Sequence, residues 1–142
     1  MKLTDKKIIL AINTVVAGEV FVAIFDGEKS ESFKRQGNSD QVLEMVAELL
    51  KKNKRRPEEI RAVLVVSGPG SFTAVRQGVV SANAFGYLLR VPVVGVKLDE
   101  FKNEDEFLEI GYKKLLKAKK GTVVLPAYGR EPNITKPKKW KL

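Results

Sequence analysis

The stretch from Ser67 to Gly78 (SGPGSFTAVRQG) crowds glycines, hydroxyls and a basic side chain in front of a helix-like run. A glycine-rich turn at a helix start leaves backbone N–H groups free. With the helix dipole behind them, such groups can hold an anion. A P-loop would need Gly-Lys-Ser/Thr after the turn, and no lysine follows Gly70, so a P-loop NTPase is excluded. The plainer reading is that Gly68 and Gly70 make a tight turn and Ser71 caps the helix. The residues alone allow both.

Other chemistry has few residues to use. The chain has no cysteine and no histidine. That removes disulfides, thiolate nucleophiles, cysteine-based zinc sites, histidine triads and the commonest general base near neutral pH. Two-metal chemistry needs several carboxylates converging on a sheet. The first strand-like run ends in Asn13, and no acid stands between Arg61 and Ser67. Asp26 and Asp99 remain, and Asp26 is better explained by a turn. A nuclease or phosphotransferase is therefore a weak alternative.

Charge is distributed unevenly. The net charge of the 142 residues is +9. Residues 113–142 hold ten basic side chains against Glu131, which leaves 16 basic and 16 acidic ones before them. A basic end of this kind attracts phosphate backbones or an acidic protein face. Lys136, Lys138, Lys139 and Lys141 around Trp140 form a candidate nucleic-acid-binding group, with Trp140 able to stack on a base. A solvated tail that aids solubility is the bland alternative. No apolar run approaches the ~18 residues of a membrane span, and no signal peptide is evident, so the expectation is a cytoplasmic protein.

The elements that must position these residues follow from the pattern. Residues 7–13 read as a buried strand, and residues 19–26 as a second. Asp26-Gly27 is a hairpin signal, with a third strand over residues 28–35. Asn38 or Ser39 can cap a helix that runs to about Asn53, where Pro57 stops it. Val42, Leu43, Met45, Val46, Ala47, Leu49 and Leu50 make its apolar side wider than one stripe, which predicts two buried faces. Residues 60–67 form an apolar strand covered on both sides. Ser71 opens a helix to about Arg90, and residues 92–96 form a short parallel strand reached by a right-handed crossover. Asn103 with Glu106 reads as a capping box for a further helix. Gly121 can close it, and residues 122–125 could make a last strand. The order βββαβαβα plus a basic tail describes an α/β protein. It is a single ribonuclease-H-like (actin-like ATPase) lobe, with a mixed five-stranded sheet and helices on both faces. Ala74, Gly78, Ala82 and Gly86 recur every four residues on the second helix. Small residues on one stripe let another backbone come close. That backbone can belong to the domain's own sheet or to a partner.

The run SGPGSFTAVRQG resembles the SGPGSFTGLRxG signature of the TsaB (YeaZ-like) family. Ile9-Leu10-Ala11-Ile12-Asn13-Thr14-Val15 is similar to the family's ILAIDTS-like first strand, and residues 92–96 (PVVGV) to the strand after the signature helix. Residues 126–139 look like its C-terminal PxYxRxPxxTxPK ending. Asn13 stands where the family has aspartate, Ala74 where it has glycine, and Asn38-Ser39-Asp40 where a histidine is common. The match leaves about 30 residues for a second lobe, too few to hold one.

The resemblance implies the following. Residues 1–98 form the lobe, 99–125 a helical remnant, and 126–142 an extended basic tail. The protein is a scaffold or activator without its own catalysis in the synthesis of tRNA threonylcarbamoyladenosine. It binds a TsaD-like transferase, joined by a TsaE-like ATPase, through its two lobe helices. The expected contact residues are Val42, Met45, Leu49, Ser71, Phe72, Val75, Arg76, Gly78, Val79, Ala82 and Gly86. Isolated chains could use the same face to make a homodimer. No cofactor is expected in the chain alone, while ATP or ADP could sit at an interface shared with partners. An RNA-binding module that uses the basic tail is the alternative.

Overall fold

The computed structural model describes residues 7–16, 18–118 and 124. Its elements run β1 (Ile8–Asn13), β2 (Glu19–Phe25), β3 (Ser30–Gln36), α1 (Val42–Lys52), β4 (Ile60–Val66), α2 (Phe72–Leu89), β5 (Val93–Val96) and α3 (Glu104–Leu115). The strands form one mixed sheet in the order β3-β2-β1-β4-β5. β1 lies antiparallel to β2 and parallel to β4, and β5 extends the parallel half. This is the expected βββαβαβα order.

The sheet is buried where helices cover both faces. All six residues of β1 are buried, as are six of the seven in β4. Each such Ile, Leu or Val contributes roughly 1.5–3 kcal/mol by leaving water. Edge strand β3 instead alternates between exposed and half-buried residues. Side chains divide the faces. Lys52 lies 5.3 Å from the ring centroid of Phe33, which puts Phe33 on the α1 side. A Cβ at Gly111 of α3 would meet Leu64 Cδ1 at 2.5 Å, so Leu64 faces α3. With a period of two, α1 and α2 share one face and α3 covers the other.

Several boundaries moved for local reasons. Asp26 Oδ1 accepts the N–H groups of Glu28 and Lys29 at 2.9 and 2.8 Å, so the turn absorbs the first residues expected in β3. Neither Asn38 nor Ser39 caps α1. A 3-10 turn over Ser39–Gln41 comes first, and Gln41 takes the N-cap position without a side-chain bond. Helix α1 ends at Lys52 with Asn53 as its C-cap, as expected, but the stop does not wait for Pro57. Asn53 Nδ2 donates to Leu49 O at 2.9 Å, and Lys54 adopts φ 56°, both ahead of the proline. The capping box of α3 is half formed. Asn103 Oδ1 accepts the Glu106 N–H at 2.9 Å, but Glu106 Oε1 reaches the N–H of Lys102, not of Asn103. Helix α3 stops at Leu115, and Gly121 lies outside the described residues. Of the expected strand over 122–125, only Val124 is described, and it is not in a strand.

Candidate interaction surface

In an open α/β sheet, the place for a ligand is the crevice beyond the carboxyl ends of the parallel strands. Here β1 and β4 end in the buried polar residues Asn13, Thr14 and Ser67. Asn13 Oδ1 accepts the Val15 N–H at 2.9 Å. Thr14 Oγ1 donates to Ala74 O at 2.6 Å, which ties the end of β1 to the first turn of α2. Gly68 takes φ +121°, a conformation that favours glycine, and its carbonyl accepts the Leu98 N–H at 2.8 Å. Ser71 Oγ accepts the Ala74 N–H at 3.3 Å, the cap expected from sequence. Among the described residues, no group of three or more Asp, Glu, His or Cys side chains could hold a metal ion. Asn13 and Thr14 thus each bond to the chain's own backbone.

Helix α2 presents two different faces. Val75, Gly78, Val79, Ala82 and Gly86 are buried against the sheet. A Cβ at Gly78 would collide with Thr14 Oγ1, and one at Gly86 with Val93 Cγ2. An interior glycine weakens a helix by roughly 1 kcal/mol relative to alanine, but here it permits an approach that no side chain would allow. The opposite face is apolar and exposed. Phe72 is 51% exposed, Val80 57%, Tyr87 83% and Leu88 74%. At 100° per residue these fall in one sector, together with Arg76, whose guanidinium carbon lies 5.9 Å from the Phe72 ring centroid. Phe72, Thr73, Arg76, Gln77 and Val80 line a shallow groove of 330 Å³.

Residues 34–101 match the family model described as "TsaD: tRNA N6-adenosine threonylcarbamoyltransferase". They span most of the helix-bearing lobe, from β3 to β5. Uncharacterized proteins from Mycobacterium bovis and Mycobacterium tuberculosis are 50% identical over 38 residues, 27% of this chain and 18% of their own length. Among solved structures, YeaZ from Pseudomonas aeruginosa superposes with a TM-score of 0.60 at 24% identity, covering 64% of this chain and 44% of that one. A second structure, of an uncharacterized Pseudomonas aeruginosa protein with similarity to peptidase YEAZ, gives the same score and identity over 43% of its chain. The chain therefore spans less than half the length of the proteins whose fold it shares.

The lobe is YeaZ-like in fold.

The YeaZ-like lobe separates the expected contact residues into two groups. Ser71, Phe72 and Arg76 are exposed at the start of α2. Val42, Met45, Leu49, Val75, Gly78, Val79, Ala82 and Gly86 are buried in the chain's own core. The small-residue stripe seats α2 on the end of β1 and on β5. Nor does α1 bury two faces. Its Val42, Met45, Val46, Leu49 and Leu50 turn inward, and Leu43 and Ala47 stay exposed. The expected set omits Val80, Tyr87 and Leu88. Their signal was present, since these apolar residues stand opposite the glycine stripe. It also omits Asn83, whose side-chain amide donates to Val124 O at 2.8 Å and accepts from Val124 N at 3.0 Å. This pair of bonds holds one point of the later chain against α2. Lys136, Lys138, Lys139, Trp140 and Lys141 lie outside the described residues.

Proposed function

We propose that the chain is a non-catalytic scaffold or activator in tRNA threonylcarbamoyladenosine synthesis, docking a TsaD-like transferase on the outer face of α2. The observation that carries the reading is the exposed sector of Phe72, Val80, Tyr87 and Leu88. Large apolar side chains grouped on one helix face, with arginine beside them, have the composition of an interface core. The match of residues 34–101 to a transferase family model and the YeaZ-like fold support the choice of system. The lack of histidine and cysteine, and of a metal-binding cluster among the described residues, supports a partner role over an enzyme's.

A TsaE-like ATPase would complete the assembly, and tRNA would meet it through the transferase or through Lys136 to Lys141. ATP or ADP would bind only at a shared boundary, because Asn13 and Thr14 are tied to the chain's own backbone. Without the transferase, the same α2 face would pair two copies of the chain. The test is reconstitution of the cognate transferase and ATPase with tRNA, ATP and threonylcarbamoyl donor precursors, reading modified adenosine by mass spectrometry. Addition of the chain should raise product formation. No change at any concentration, in a mixture that a full-length TsaB does activate, would refute the role.

A further inference from the structure

The contact between Asn83 and Val124 joins α2 to a point of the chain beyond α3. The Asn83 amide meets the main chain of Val124 twice. Its Nδ2 donates to Val124 O at 2.8 Å, and its Oδ1 accepts the Val124 N–H at 3.0 Å. One side chain thereby makes both hydrogen bonds that a residue of a neighbouring antiparallel strand would make. The Val124 side chain has its own seat. A Cβ at Gly95 of β5 would lie 2.9 Å from Val124 Cγ1 and 3.3 Å from Ser67 Oγ, so the missing side chain of Gly95 is the notch that Val124 fills. Val124 is half-buried there and packs against the core.

Each half of this seat is a locally poor choice. Asparagine inside a helix is less favourable than alanine, because its amide competes for nearby backbone groups. Glycine inside a strand has no side chain to pack and weakens the strand. Gly95 is not in the left-handed region, so its backbone does not demand glycine. Two locally unfavourable residues on different elements are accounted for by one contact with Val124.

The position of the seat gives it a use. Asn83 stands three residues after Val80 and four before Tyr87, and residues at those spacings are neighbours on a helix surface. Val80 and Tyr87 belong to the exposed outer face of α2. Val124 therefore stands at the rim of that face, fixed before any partner arrives. A residue ordered in advance spares a partner the entropy of ordering it. We infer that Asn83 is a positioning residue for docking: by clasping Val124 it supplies one wall of the outer face of α2. The inference rests on the transferase reading of that face and adds Val124 to the surface the transferase meets.

The test joins amide hydrogen exchange to titration of the cognate TsaD-like transferase. It compares the wild-type chain with Asn83→Ala, Gly95→Ala and Val80→Arg, each first shown by circular dichroism to melt cooperatively. Asn83→Ala removes both bonds to Val124 and improves helix propensity. Gly95→Ala fills the notch and displaces Val124 by a separate route. The Val124 amide should exchange slowly in wild type and in Val80→Arg, and many-fold faster in the other two variants. Those two should bind the transferase roughly five- to tenfold more weakly, against roughly a hundredfold for Val80→Arg. Wild-type binding after Val124 is released, with Val80→Arg still impaired, would overturn the inference and leave the docking reading intact. Unimpaired binding by Val80→Arg would remove the docking reading and this inference with it. A Val124 amide that exchanges freely in wild type, or that stays protected in Asn83→Ala, would overturn the role of the clasp.

Discussion

The inward and outward faces of α2 differ in the size of their side chains and in what covers them. The inward face is small: Gly78 and Gly86 lie where a Cβ would strike Thr14 and Val93, and Ala82 is buried with them. The outward face is large: Val80, Tyr87 and Leu88 project into solvent. A four-residue repeat of small side chains marks close approach of a backbone, but it does not say whose backbone. Here it is the chain's own sheet. Bulk left uncovered is the better sign of a partner, because a small lobe gains nothing from exposing it.

The comparison can be broken first at its inward side. Gly78→Arg should unfold the lobe. It drives a charged side chain into a buried contact with Thr14, and burial of an unpaired charge costs several kcal/mol. Loss of the cooperative melt by circular dichroism is the expected result. A folded Gly78→Arg protein would mean that α2 does not sit on β1 as described. This variant is therefore no probe of partner binding.

A smaller effect should follow at the joint between β1 and α2. Thr14→Val removes the hydrogen bond to Ala74 O while keeping the shape of the side chain. The Ala74 carbonyl can keep a partner within the helix, so the expected loss is about 1 kcal/mol. Urea denaturation at constant m-value measures it.

The smallest effect lies far from either face. The Glu100 carboxyl is held below its ordinary range, first by the Lys114 ammonium and then by the Lys97 N–H. Its pKa in the folded chain is thus lower than in the unfolded chain. The stability it contributes is present above the ordinary value of 4.5 and fades as pH falls through the folded value. Glu100→Gln should therefore lower the melting temperature slightly at pH 7 and by less at pH 3. The pair is partly exposed, so the loss should stay below about 1 kcal/mol. An equal loss at both pH values would assign the effect to packing.

Much of the fold was legible because strand burial leaves a plain record. The unbroken apolar runs around Ile9–Ile12 and Val63–Val66 could only be interior strands of a covered sheet. The Asp26-Gly27 turn and the Ser71 cap depend on side-chain chemistry local to the sequence, and both formed as expected. The start of α1 was less legible, because the 3-10 turn at Ser39 has no strong residue signal. The inward burial of the small-residue stripe was less legible for a deeper reason. Periodicity gives the angular position of Gly78 or Val80 on α2, but which sector meets the sheet is set by the Thr14–Ala74 bond and the fit at Val93. Those contacts join residues 60 apart in the first case and lie across a crossover in the second. The clasp of Asn83 on Val124 is equally non-local.

The most direct test of the account is titration of the cognate TsaD-like transferase with wild-type chain and with Val80→Arg, followed by calorimetry. Val80 is exposed, so the variant should melt within about 0.5 kcal/mol of wild type. At the same time a charge at the centre of the outer face should weaken binding by roughly a hundredfold or more, as expected for a hot-spot position. A folded Val80→Arg protein that binds the transferase as tightly as wild type would contradict the assignment of this face.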